Sequence, residues 1–219
     1  MQNKNRTPSL SEVISQAVDS SSADIRVSFP ARVVFFDGKG AVSAQILIKQ
    51  KLGEEIVSYP VISDVPVHFM RAGGFRFTVP IKAGDEGSLV FFDRCIDSWY
   101  STGKESESID DRLHDLSDCF FIPGVCSQPN HKSVFSGGLS MESEDGSTYI
   151  RVTGGKILIK GDIEHDGNST ITGDSTVNGN SVTDGSMEVK GSGSISGIDF
   201  ESHVHGGVQT GDGKTQGAE

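Results

Sequence analysis

The residues best placed to do chemistry are His203 and His205, the outer members of a His-Val-His triplet near the end of a 219-residue chain. In extended backbone, side chains alternate faces, so both imidazoles point the same way. The neutral ring is a common metal ligand. One chain offers two nitrogen donors, too few for a firm site. Three chains on a threefold axis offer six, an octahedral set that suits Fe(II) and disfavours four-coordinate Zn(II). On affinity order Ni(II) or Co(II) fits as well. An isolated triplet of this kind reads most simply as two exposed tail histidines. The sequence before it argues otherwise.

Eight glycines (Gly155, Gly161, Gly167, Gly173, Gly179, Gly185, Gly191 and Gly197) keep an unbroken spacing of six, and the next step lands on His203. Because six is even, odd and even positions never exchange faces in an extended chain. Odd positions carry Ile157, Ile159, Ile163, Ile171, Val177, Met187, Val189 and Ile195, with small residues between them. Even positions carry most charges and amides, with Leu158, Val182, Ile198 and Phe200 as exceptions. The odd face is therefore expected to point into a narrow core that includes His203 and His205. His165, Asp199 and Glu201 share that parity. His165 reads as a hydrogen-bonded interior residue. Asp199 and Glu201 read as a possible further ion site, as partners of serine-type donors, or as groups facing water where the column widens.

Three architectures use such a period. Collagen needs glycine at every third residue, but Leu158, Glu164, Thr170 and Thr176 occupy the intermediate positions. A left-handed hexapeptide β-helix wants an aliphatic residue before the small one, where this chain has Lys160, Asp166, Thr172, Asn178 and Asp184. A column of three intertwined chains fits best, with a monomeric solenoid as the alternative. So few apolar groups per turn cannot be buried by one copy, and a lone copy leaves bare strand edges. Glycine is then expected at each corner, where positive φ or close approach is needed.

Composition divides the chain near Gly137, because beyond it the aromatics are only Tyr149 and Phe200. The net charge of −11 opposes the phosphate backbone and argues against a nucleic-acid partner. From Gly137 onward there are 13 acidic and 5 basic side chains, so the excess extends into the repeat. No window resembles a transmembrane span or a signal peptide, which implies synthesis in the cytoplasm. Cys95, Cys119 and Cys126 are odd in number, lack a CxxC and read as reduced thiols. Residues 8–18 predict a short amphipathic helix capped by Thr7 or Ser9 and ended by Ser20-Ser21-Ser22. Strands are expected at 26–29, 31–36, 41–48, 55–59, 65–69, 75–78 and 87–92, which suggests a small barrel or sandwich. A short helix starts at Asp97, and 104–111 is a polar loop.

No catalytic set assembles. Gly213-Lys214-Thr215 lacks the first glycine and the strand-loop-helix setting of a phosphate-binding loop. His114, Asp115 and Asp118 read as a turn with satisfied side chains, because nothing supplies a nucleophile and a pocket. The expectation is a protein that is not an enzyme.

Several runs together resemble a known family. They are Phe77-Thr78-Val79-Pro80 with Gly84-Asp85, Asp97-Ser98-Trp99, Arg112-Leu113-His114-Asp115-Leu116-Ser117-Asp118 and Ile122-Pro123-Gly124, followed by the glycine ladder and the terminal His-Val-His. They resemble the central spike (baseplate assembly protein V type) of contractile-tailed bacteriophages. The resemblance implies an all-β chain with an N-terminal OB-fold-like barrel, then an intertwined trimeric β-helix with a metal-capped apex. The corresponding divisions are an arm at 1–22, the OB-fold-like domain at 23–128, a connector and start of shaft at 129–150, the triple-stranded β-helix at 151–200 and the apex at 201–219. It further implies one iron ion (Fe2+) per homotrimer, held by His203 and His205 of each chain, with the glycine-rich tail folding over it. A baseplate hub protein would be the partner, the bacterial outer membrane the target, and the virion's tail tip the location after assembly in the host cytoplasm. The main alternative is a trimeric receptor-binding tail fibre or other phage adhesin.

Overall fold

In a computed structural model of the chain, residues 8–23, 25–204, 207 and 211 are described. The chain divides into two compact units, Met1–Gly161 and Asp162–Glu219.

The first unit begins with α1 (Leu10–Ala23). Ser9 caps it through a reciprocal box. The Glu12 amide donates to Ser9 Oγ at 3.3 Å, and the Glu12 carboxylate takes the Ser9 amide at 2.6 Å. The three serines expected to end the helix lie inside it. Serine costs only about half a kcal/mol per helical position, too little to stop a helix already running. Leu10, Val13, Ile14 and Val18 form its apolar stripe and are exposed.

The strands that follow are β1 (Ser28–Phe36), β2 (Ala41–Ile46), β3 (Lys49–Leu52), β4 (Glu55–Ser58), β5 (Ile62–Pro66), β6 (Arg71–Ala72), β7 (Phe75–Arg76), β8 (Glu86–Phe91) and β9 (Cys119–Pro123). Five of them form a sheet in the order β5-β2-β1-β8-β9. Its two edges meet where Val67 bridges Phe121 in parallel and the His68 amide donates to the Phe121 carbonyl at 2.8 Å. A five-stranded, all-β, OB-like barrel results. Ala31, Val33, Val42, Ala44, Ile46, Val65, Leu89 and Phe121 fill it. In β2 and β8 every second residue is buried, the period-two pattern of a sheet with one wet face.

Strand β1 runs through Pro30, where the sequence suggested a break between two strands. The Pro30 carbonyl accepts from the Leu47 amide at 2.9 Å, just beyond the end of β2. Its nitrogen faces that same side at the end of the β1–β2 ladder, so one rung is lost there while β1 stays paired with β8 through Ser88. A register shift between Val33 and Phe35 marks a bulge that leaves Val34 and Phe35 exposed. Between β8 and β9 lies α2 (Asp97–Thr102), closed by Gly103 in the left-handed region at φ 66°.

The same unit ends in an antiparallel sheet of β10 (Leu139–Glu142), β11 (Tyr149–Val152) and β12 (Ile157–Lys160). Its register puts Leu139, Met141, Ile150, Val152, Ile157 and Ile159 on one face. Ser140, Glu142, Tyr149, Arg151, Leu158 and Lys160 occupy the other. Ile157 and Ile159 share one face and Leu158 lies on the other, the parity read from the sequence, and all three are exposed on this chain.

The second unit has no buried residue among those described. No strand occurs between Lys160 and Ser194 among the described residues; then β13 (Ser194–Ile195) and β14 (Ile198–Asp199) form a hairpin. Ser196 (φ 52°) and Gly197 (φ 80°) make its turn, both left-handed as a two-residue hairpin loop demands. Positive φ is found at Gly161 (120°) and Gly167 (133°) as well. It is not found at Gly155, Gly173, Gly179, Gly185 or Gly191. At these five an added Cβ meets nothing within 4 Å in this chain, so positive φ does not account for glycine there.

Candidate functional site: the apex, the barrel lock and the barrel cleft

At the apex the hairpin leads directly into the histidine. The Phe200 amide donates to the Gly193 carbonyl at 2.9 Å, and the His203 amide to the Asp199 carbonyl at 3.1 Å. Asp199 Oδ1 takes the Glu201 amide at 2.9 Å, so this carboxylate holds the turn. His203 Nδ1 lies 3.1 Å from the Phe200 carbonyl, and its ring stands edge-on to Phe200 at 6.2 Å. A carbonyl only accepts, so the neutral ring must carry its proton on Nδ1 and its lone pair on Nε2. That is the usual dress of a metal-binding imidazole, with one nitrogen oriented by a backbone carbonyl and the other presented to the ion. His203 is exposed, and its donor chemistry fits a transition metal. His205, the second expected ligand, lies outside the described residues. Glu201 and His165 are exposed on the chain.

The motif at 112–118 proves to be a lock on the barrel. Asp118 is fully buried and accepts from Arg112 Nη2 at 2.9 Å, from Arg112 Nε, and from the Ile96 amide at 2.9 Å. Arg112 reaches across to Asp97 at 2.8 Å, tying α2 to β9. Asp118 and then Asp97 hold the guanidinium above its ordinary value, and Arg112 holds Asp97 below the usual carboxylate range. Cys95, Asp97 and Asp118 place their ligand atoms within 4.8 Å of one another. Arg112 already donates to both carboxylates, so a cation fills this place and the trio is an ion-pair knot. Asp115 takes the Ser117 amide at 2.9 Å and its hydroxyl at 2.7 Å, and His114 Nε2 lies 3.3 Å from Asp93. These are the satisfied side chains the sequence suggested, apart from a buried His114 Nδ1 with no partner among the described residues. Burial pushes the Cys119 thiol up to about 12, the chemistry of an inert thiol. All three cysteines are free.

Glu86 makes a second tie. Its carboxylate binds Arg32 at 2.8 Å, the Ser127 amide at 2.6 Å and the Asn130 amide group at 2.7 Å. The Ser127 N–H, then Arg32, hold it down to about 2. The segment leaving the barrel is thus pinned to the barrel wall.

The barrel carries a cleft of about 1020 Å³ that sequence reasoning missed. Phe92, Trp99 and Phe120 cluster along it, with Phe92 5.2 Å from Phe120 and 6.2 Å from Trp99. Lys39, Arg71 and Arg76 add positive charge. These residues come from four separated stretches of chain, and only barrel closure assembles them.

Comparison with known families now fits the geometry. Residues 29–124, which hold the barrel and its lock, match the phage protein Gp138 N-terminal domain. This part of the chain is similar to that domain. Residues 200–219, which hold both apex histidines, match the GpV apex motif. Together the two matches point to a phage baseplate central spike protein of the GpV type. No curated protein matches the chain.

Proposed function

We propose that the chain is the membrane-piercing central spike of a contractile phage tail, working as a homotrimer whose apex is closed by one iron ion. The observation that carries this reading is the two-faced sheet β10-β11-β12. Its polar face is already dressed: Arg151 binds Glu142 and stacks 4.0 Å over Tyr149 and 4.3 Å from Phe135. Its other face presents six large apolar residues, exposed between 42% and 69%. A contiguous apolar face of this kind needs a cover. Downstream, Ile163, Ile171, Val177, Met187, Val189 and Ile195 are exposed in the same parity. Three copies on one axis would bury the sheet faces and the odd stripe together.

His203 and His205 of each chain would then supply six imidazole nitrogens to the iron. The ion's role is to clamp three chain ends that would otherwise fray, making metal affinity part of the tip's folding free energy. Nothing turns over; the protein acts as a stiff tool. The barrel would dock on the baseplate hub protein, and the apex would meet the bacterial outer membrane first during host cell entry.

Metal analysis of the purified protein is expected to find one iron per three chains. His203→Ala with His205→Ala is expected to lose it while the barrel stays folded. Retention of the metal by that double variant would sink the apex assignment.

A further inference from the structure

The barrel cleft is basic on a chain of net charge −11. Its one carboxylate, Asp37, is turned onto its own loop, accepting the amides of Lys39, Gly40 and Ala41 at 2.7, 2.8 and 2.9 Å. Arg71 and Arg76 are direct partners across the β6–β7 hairpin. Like charges facing each other across strands are destabilising, so an anion brought between them would relieve a cost built into the fold. Both arginines are exposed, and among the described residues neither has an acidic partner. Beside them Trp99 and Tyr100 are each 50% exposed, an aromatic surface without a cover.

A matching surface lies on the same chain. The loop Lys104-Glu-Ser-Glu-Ser-Ile-Asp-Asp111 carries four carboxylates around one apolar residue, Ile109, which is 70% exposed. Asp110 lies 3.6 Å from Arg112, within its own chain. Glu105 and Glu107 have no basic partner among the described residues, and the whole loop is exposed.

We propose that loop 104–111 of one copy docks in the cleft of a second copy, with Ile109 against Trp99 and Tyr100, and Glu105 and Glu107 against Arg71 and Arg76. The inference rests on the threefold shaft proposed above. Two different patches of one chain that fit each other make a head-to-tail contact, and such a contact either closes into a ring or runs on into a filament. A threefold shaft selects the ring, so that three barrels form a collar in which each loop is held by its neighbour. Electrostatic complementarity of this sort chiefly fixes register and orientation.

The test uses the full chain with Cys126→Ser, Ile109→Cys and Thr78→Cys, because Thr78 lines the cleft. Oxidation is expected to give covalent trimers on a non-reducing denaturing gel. In parallel, Arg71→Glu with Arg76→Glu, and separately Glu105→Arg with Glu107→Arg, are expected to raise acrylamide quenching of Trp99, the only tryptophan. Combining the two reversals is expected to restore shielding. All these positions are exposed, so the variants should fold. A protein that is trimeric by light scattering but yields only monomer bands, with quenching unmoved, overturns the docking and leaves the shaft standing. A protein monomeric by light scattering overturns both.

Discussion

The barrel and the glycine repeat beyond Asp162 treat their apolar residues in opposite ways. The barrel buries Val33, Leu89, Phe121 and their neighbours within one chain, closes its own sheet edge and locks α2 to β9 with a buried ion pair. The column beyond Asp162 has a stricter apolar period than the barrel and buries none of its described residues. A strict period is therefore not the same thing as a core. Alternation tells which side chains share a face; whether that face is covered depends on how many chains are present.

The contrast is broken most sharply by charge placed on the column's odd face. On a lone chain Ile171→Asp and Val177→Asp are surface changes, worth within about half a kcal/mol. In a three-chain column they put six unpaired carboxylates on the axis, and the expected outcome is loss of the trimer by light scattering with the barrel still folded by far-UV circular dichroism. An intact trimer would show that the odd face is not the inner one.

Next in size is the barrel's lock. Arg112→Ala leaves Asp118 charged, fully buried and uncompensated, at a cost of about 3–5 kcal/mol. Denaturant unfolding followed by Trp99 fluorescence should show it, with the column's assembly unaffected. Asp97→Asn, which weakens only the partly exposed arm of the knot, should cost much less.

Glycines give a smaller and more pointed comparison. A Cβ on Gly87 would lie 2.3 Å from the Ile122 carbonyl oxygen and 2.5 Å from the Phe121 ring. Gly87→Ala should therefore destabilise the barrel by about 1–3 kcal/mol. An added Cβ on Gly179 meets nothing within 4 Å on its own chain. Gly179→Ala should lower the trimer's melting temperature only through contact with neighbouring copies. If it is neutral, the ladder has another purpose.

The smallest effect is the connector's acidity response. The folded value of Glu86 is lowered to about 2 from 4.5, so its stabilisation is complete above the ordinary carboxylate value and is lost as pH falls from 4.5 toward 2. Hydrogen exchange at the Ser127 amide should accelerate over that window. Glu86→Gln should remove the dependence.

Much of this was legible in the sequence, and the misses have physical reasons. Apolar alternation located β2 and β8. Lys49–Leu52 was missed because Lys-Gln-Lys-Leu has no buried face to announce it, and β9 was hidden inside the 112–124 motif run. The β1 break at Pro30 was misplaced because one lost rung at the end of the β1–β2 ladder does not stop a strand that stays paired with β8. Column parity was readable at Ile157 and Ile159 because six is even. The glycine spacing was readable too, but five of the eight positions have no single-chain explanation. His203 was legible as a candidate ligand by type and register; the Phe200 carbonyl beside its Nδ1 was not. The cleft was not legible, since Lys39, Arg71, Trp99 and Phe120 are brought together only by closure of the barrel.

The claim on which the rest depends is that the apolar face of β10-β11-β12 and the odd stripe after it are covered by two further copies of the chain. Molar mass by light scattering tests it directly. The account predicts three times the 23.3 kDa chain mass, persisting on dilution; a particle of one chain mass would contradict it.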